Sequence, residues 1–324
     1  MANKLDKYYI GIDLGGMSAK AGLIGEDGSL HRIMRAETNA NDGANSTAKK
    51  LAALAEELIC ECAIAKADVL AIGIGSPGVI NSESGTVVNW SNFGWANVPL
   101  AELVAKEIGL PVYVTNDANA AALGEAYYGS GKKYADSVMI TLGTGVGGGI
   151  VIGGKLIEGY RSAGAELGHT VIRKGGVQCT CGRRGCLECY ASATALMRET
   201  KRAMQKNADS LMWKLSSRLE DVSGKTAFSA AQQGDRVAKR VVREYVASLG
   251  EGIVNVVNLL RPQVIILGGG VSNEGENLLK PLRRFVLRHI YAPASYAPLA
   301  LVQATLGNDA GIYGAAQYAV QRYN

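Results

Sequence analysis

The reading of the fold turns on "YYIGIDLGGMSAKAGLIG", Tyr8–Gly25. Two short apolar runs flank a Gly-rich turn, and a polar "EDGS" turn follows the second; the pattern predicts a tight strand–turn–strand unit. Asp13 closes the first strand, just ahead of Gly15 and Gly16. Such a turn lets backbone N–H groups approach phosphate oxygens, while the carboxylate can hold Mg²⁺ through water. The stretch matches neither the dinucleotide G-x-G-x-x-G pattern nor the G-x-x-x-x-G-K-[ST] phosphate loop. Alone, it reads equally well as a hairpin turn with an exposed Asp.

The same layout returns in "SVMITLGTGVGGGIVIGGKLI", Ser137–Ile157, where Thr141, Gly143, Thr144 and Gly145 offer hydroxyls and open backbone donors. The echo predicts two related α/β halves facing each other across a cleft. With the Gly268–Gly270 end of "QVIILGGGVS", the two turns suggest a grip on a polyphosphate. Helices are predicted at Ser46–Ala67, Ala118–Gly129, Ser192–Gln205 and Val237–Pro262 from apolar residues at helical spacing. A last helix, Asn308–Tyr323, is expected to return and pack on the first domain. The expected domains are 1–117 plus 308–324, a small α/β domain, and 118–307, a large α/β domain.

The 324 residues are 48% hydrophobic with 41 Gly and 7 Pro, a globular composition that suggests two domains. The net charge of +5 is mild and its cations are dispersed, which argues against a nucleic-acid footprint. No apolar run is long enough for a membrane span, and the polar start of "MANKLDKYYIGIDLG" has no leader-like apolar stretch. The cytoplasm is the expected compartment, where clustered cysteines favour metal binding over crosslinks.

Two further stretches carry chemistry. "PVYVTND", Pro111–Asp117, is a strand ending in Asn116 and Asp117, at the end where ligands of α/β sheets sit. Asp117 there suits the base of a phosphoryl transfer, and equally the N-cap of the Ala-rich helix that follows. "GHTVIRKGGVQCTCGRRGCLEC", Gly168–Cys189, supplies His169, Cys179, Cys181 and Cys186, a closed Cys₃His set for a structural zinc, in a loop spanning 169–186. Cys189 is a spare thiol, and Cys60 and Cys62 read as ordinary buried thiols. Glu166 and Glu188 flank the loop, where carboxylates and an imidazole N–H suit the hydroxyls of a sugar; both read equally as surface residues.

Taken together, "GIDLGG", "GIGSPGVI", "VTNDANAAALGE", "TLGTGVGGGIV", "GAELGH…CTCGRRGCLECYAS" and "ILGGGVS" resemble the ROK family of sugar kinases and repressors, in family order across nearly the whole chain. Within it the chain resembles the bacterial glucokinases. The resemblance implies an actin-like ATPase/hexokinase (ribonuclease H-like) fold and ATP-dependent phosphorylation of a hexose, glucose first, at its 6-hydroxyl. It implies Asp117 as base and Gly78, Asn116, Glu166, His169 and Glu188 around the sugar. Gly15, Gly16, Lys20, Thr144, Gly145 and Gly269 fall at ATP contacts, with Asp13 near Mg²⁺, and a homodimer or homotetramer is expected. Where the family carries Thr after "DLGG", this chain has Met17, which cannot donate to phosphate and is expected to weaken ATP binding; Ser18, next along an extended strand, points the other way. Alternatives are another sugar (N-acetylmannosamine, N-acetylglucosamine, fructose or allose), a polyphosphate donor, or a sugar-sensing repressor. The repressor branch carries a helix-turn-helix segment ahead of the first strand, for which a strand starting at Tyr8 leaves no room.

Overall fold

The computed structural model describes residues 7–90 and 93–324. The leader reading rests largely on residues 1–6, outside that range. Elements run β1 (Tyr8–Leu14), β2 (Ser18–Gly25), β3 (Leu30–Glu37), α1 (Ala44–Glu61), β4 (Val69–Ser76), β5 (Val79–Asn81), β6 (Thr86–Trp90), β7 (Trp95–Val98), α2 (Leu100–Ile108), β8 (Val112–Asn116) and α3 (Asp117–Tyr127). There follow β9 (Ser137–Leu142), β10 (Val146–Ile152), β11 (Lys155–Leu156), α4 (Glu188–Ala191), α5 (Ala193–Gln205), α6 (Met212–Leu215), α7 (Gly224–Gln232) and α8 (Arg236–Leu260). The chain ends with β12 (Val264–Gly268), α9 (Glu276–His289), β13 (Ala300–Gln303) and α10 (Ala310–Tyr323). Among the described residues no helix is long and apolar enough to cross a membrane.

The first compact unit comprises residues 1–135, 149–165 and 305–324. Its main sheet has the order β3-β2-β1-β4-β8, with β1, β4 and β8 parallel. Alternation along β1 sends Ile10 and Ile12 into one core with Leu51, Leu54 and Leu58 of α1. Tyr9, on the opposite face, packs with Ile312 and Ala316 of α10. That second face carries glycines beneath α10: a side chain at Gly11 or Gly73 would strike the helix backbone within 2 Å. The last helix lies on α3, β1 and β4 of the first unit. A smaller antiparallel sheet, β5-β6-β7, completes the unit.

The second unit comprises residues 136–148 and 166–304. Here β12 lies between β9 and β13, parallel to both, and Val264–Leu267 are fully buried, as a strand covered on both faces requires. Helices α5, α7 and α9 pack on the long α8.

Three expectations shift. The expected boundary after residue 117 differs from that of the compact units, because α3 packs on α10 and residues 149–165 return to the first unit. Helix α1 starts at Ala44 rather than Ser46, and Thr47 Oγ1 donates to the Gly43 carbonyl at 3.1 Å. Cys60 is exposed and Cys62 half-buried, since both follow the last core-facing turn of α1; neither is a fully buried thiol.

Candidate functional site

Three parallel strands align the first group of candidates. Register places Asp13 of β1 beside Gly75 of β4, and Gly75 beside Thr115 of β8. Asn116 and Asp117 thus lie at the carboxyl end of the sheet, with Asp13 two strands away. The Asn116 side chain caps α3, accepting from the Ala118 and Asn119 N–H groups at 2.9 and 3.3 Å. Asp117 is the first helical residue and not the cap; only Oδ1 is engaged by Ala118 N, at 2.8 Å. Asn116 Nδ2 also donates to the Gly78 carbonyl at 3.2 Å. Gly78 has φ 95°, and a Cβ there would meet the Asn89 carbonyl at 2.3 Å, so only glycine suits this turn.

Burial raises the pKa of Asp117, against the lowering effect of its backbone hydrogen bonds. Burial also raises that of Asp13, and the Asp117 carboxylate adds to the shift. Lys20 stands directly opposite Asp13 in the β1–β2 pair and partly offsets this. Its Nζ donates to Asp309 Oδ1 at 2.8 Å and to the Asn308 carbonyl at 2.6 Å. Gly15 N closes the turn on the Ser18 carbonyl at 2.9 Å, and the Gly16 carbonyl accepts from Ala40 N at 2.8 Å. Met17 is 62% exposed at the turn, and Ser18 is exposed beside it.

The second unit gathers the cysteine loop. Donor atoms of His169, Cys179, Cys181 and Cys186 all lie within 4.8 Å of one another. Cys181 and Cys186 sulfurs are 3.7 Å apart, and Cys179 Sγ is 3.6 Å from His169 Nδ1. A tetrahedral ion with bonds of about 2.3 Å to sulfur needs sulfurs about 3.8 Å apart, so the set fits a metal. Burial works upward on the Cys179 thiol, but hydrogen bonding from Cys181 and His169 wins and brings it to about 6. Cys186, by contrast, is pushed up to about 12 by burial and its cysteine neighbours. Cys189 is not one of the four converging donors: it packs against Cys179 and Cys186, and its thiol donates to the Gln178 carbonyl at 3.6 Å.

Glu188, at the start of α4, accepts from Val146 N at 3.0 Å through Oε2, and its Oε1 lies 4.0 Å from Cys179 Sγ. It therefore couples the cysteine loop to the turn bearing Thr144 and Gly145. In that turn Gly143 N donates to the Gly145 carbonyl, and the Thr144 carbonyl accepts from Thr194 Oγ1 at 2.8 Å. Glu166 is exposed, and its carbonyl accepts from His169 N at 3.1 Å. The Gly269 carbonyl accepts from Ser272 Oγ at 2.7 Å, just past β12. The structure thus assembles Asp13, Lys20, Gly78, Asn116 and Asp117 in one unit, and the cysteine loop, Glu188 and the 144–145 turn in the other.

Sequence reasoning missed Asp309 on Lys20 and the buried Glu125. The latter accepts from the Ser130, Thr305 and Leu306 N–H groups at 2.7–2.8 Å. Glu125 stood in view as the last residue of "TNDANAAALGE", but its partners lie far along the chain.

Residues 9–322 match the ROK family. The chain is 40% identical over 314 residues to a glucokinase of Thermotoga maritima, covering 97% of each. The chain belongs to the ROK family. Among solved structures, a ROK family glucokinase from Streptomyces griseus in complex with glucose and AMPPNP is 36% identical with TM-score 0.78, covering 97% of this chain and 99% of that one. A ROK hexokinase from Thermus thermophilus is 33% identical with TM-score 0.80, covering 97% and 98%. The family likeness gives the two units the actin-like ATPase/hexokinase fold.

Proposed function

We propose that the chain phosphorylates glucose at its 6-hydroxyl with ATP, giving glucose 6-phosphate and ADP. The glucokinase relatives, matched over nearly their whole length, support the reaction class and sugar. The observation that carries the site is Asp117: its capping role is taken by Asn116, leaving a largely buried carboxylate, held by Ala118 N through Oδ1, just past the strand end. Asp117 accepts the 6-hydroxyl proton as the sugar oxygen attacks the γ-phosphorus, and ADP leaves. Asn116, Gly78, Glu166, His169 and Glu188 orient the sugar. Gly15, Gly16, Lys20, Thr144, Gly145 and Gly269 hold the nucleotide, and Met17 in place of Thr removes one hydroxyl donor to phosphate.

Asp13 sits among carboxylates, with Asp117 and Asp309 raising its pKa and Lys20 lowering it, which fits a place beside Mg²⁺. When bound, Mg²⁺ neutralises charge on the transferring phosphoryl group. The Cys₃His set holds structural Zn²⁺; with four protein donors no position is left for water activation. An ATP-consuming enzyme with a free-thiol metal site belongs in the cytoplasm, and its family suggests a homodimer or homotetramer.

A coupled ADP-release assay over glucose, fructose, allose, N-acetylmannosamine and N-acetylglucosamine tests the reading. Glucose is expected to give the highest kcat/KM, and Asp117→Ala to lower kcat by about 10²–10⁴. Met17→Thr in the same assay lowers the ATP KM. Preference for another sugar keeps the kinase and discards the glucose assignment; turnover undiminished in Asp117→Ala discards the base.

A further inference from the structure

One half-buried carboxylate in the first unit has no part in the chemistry above and is tied to the segments that carry it. Glu158 accepts three hydroxyl hydrogen bonds: from Thr115 Oγ1 at 2.8 Å, Ser82 Oγ at 3.0 Å and Tyr318 OH at 3.2 Å. All three donors are at least 96% buried. Burial, with Glu158 adding to it, raises the Tyr318 pKa and keeps that phenol protonated as a donor. Ser82 Oγ also contacts Ser162 Oγ, and Ser82 N donates to Ser162 Oγ at 3.1 Å. Proton directions are consistent throughout: Ser162 donates to Ser82, and Ser82 donates to Glu158.

Position gives this network a consequence. Thr115 immediately precedes Asn116 and Asp117, and Ser82 immediately follows β5, which begins one residue after Gly78. The Asn116–Gly78 bond is thus backed by a second bridge between the same two segments, running Thr115–Glu158–Ser82. The loop supplying Glu158 holds Arg161, Ser162 and Ala165 at φ 51°, 58° and 62°, left-handed values that non-glycine residues adopt at a cost. Such conformations persist where surrounding bonds over-determine them, and they cluster at functional sites.

We propose that Glu158 is a positioning residue of the kinase reaction, clipping the Gly78–Ser82 and Thr115–Asp117 segments into one sugar-binding geometry. The inference rests on the sugar-site reading above for its kinetic consequence, and on hydrogen bonding alone for its structural one. Removing the carboxylate leaves Asn116–Gly78 as the remaining side-chain bridge between these segments among the described residues, and lets the two segments shift relative to each other. Gln retains a carbonyl acceptor for Thr115 and an amide that hydroxyl oxygens can accept, so it restores part of the clip.

Two readouts test this on the full chain. In steady-state kinetics, Glu158→Ala raises the glucose KM about ten-fold, moves the ATP KM less than about two-fold, and Glu158→Gln recovers most of the loss. In hydrogen exchange, amides of residues 79–82 and 115–119 exchange faster in Glu158→Ala than in wild type, with Glu158→Gln between them. Should Glu158→Ala fold poorly, Thr115→Val and Ser82→Ala remove single donors and give smaller changes of the same pattern. Unchanged exchange in those segments overturns the clip, whatever the activity. Equal rises in both KM values, or Gln no better than Ala, overturn the positioning role. If wild type turns over no hexose, the sugar-site reading fails, and exchange alone decides whether Glu158 positions the two segments.

Discussion

At Asp117 the structure separates two roles that share a residue type. Asn and Asp cap helices equally well, so sequence could not say which of Asn116 and Asp117 holds the α3 N-terminus. The structure gives the cap to Asn116, while burial raises the pKa of Asp117 against the lowering effect of its hydrogen bonds. A carboxyl with a folded pKa above its unfolded value favours the folded state at pH below the unfolded value. That contribution is lost as pH rises through the folded value, so at neutral pH the ionised Asp117 weighs against folding. Asp117→Asn keeps an oxygen for Ala118 N and removes the charge. The expected outcome is a catalytically dead protein, down about 10²–10⁴ in kcat, whose Tm at pH 7 exceeds that of wild type. Thermal unfolding at falling pH should show the Tm gap shrink through the carboxylate range. A lower Tm for Asp117→Asn at pH 7 would contradict the burial argument.

Among the elements, the cysteine loop was legible and the Glu158 clip was not, for one physical reason. Ligands of the loop fall within eighteen residues, so spacing alone reports the geometry of the donors. Glu158 binds partners 43, 76 and 160 residues away, each an ordinary hydroxyl in a separate segment of the chain. What spacing could not show is where the loop transmits its order. Glu188 links it to Val146 N and hence to the turn of Thr144 and Gly145, so a metal in the loop would be expected to stiffen that turn as well as the His169 side. Purified protein is expected to hold about one Zn²⁺ per chain. Stripping it with a chelator, or replacing Cys181 with Ser, should lower Tm and raise the KM for both glucose and ATP, and added Zn²⁺ should restore the stripped wild type only. Metal-free protein with unaltered kinetics would leave the loop without this role.

For the whole molecule, the decisive feature is that the chain returns. The first unit draws on three separate stretches, and its last helix closes it by lying on glycines of β1, β4 and α3. Apolar periodicity forecasts that helix, but a boundary after Asp117 separates α3 from the compact unit in which α10 packs on it. Sequence shows a helix and a strand as neighbours in order, and only packing shows that α3 and α10 share a face. The crossing is close because neither helix carries a side chain there: a Cβ at Gly314 would sit 1.6 Å from the Ala120 carbonyl. Gly314→Val must therefore push α10 off α3, at a cost of about 3 kcal/mol or more. Gly224→Ala, where the nearest outside atom is 4.0 Å away, serves as a neutral control. Because residue 314 belongs to the first unit and the metal ligands to the second, Gly314→Val should lower Tm and turnover while zinc per chain stays near the wild-type value. Limited proteolysis would then cut first within residues 7–135. A variant with wild-type Tm would mean that α10 does not lie on α3; one that loses zinc along with turnover would mean that the damage is not confined to the first unit.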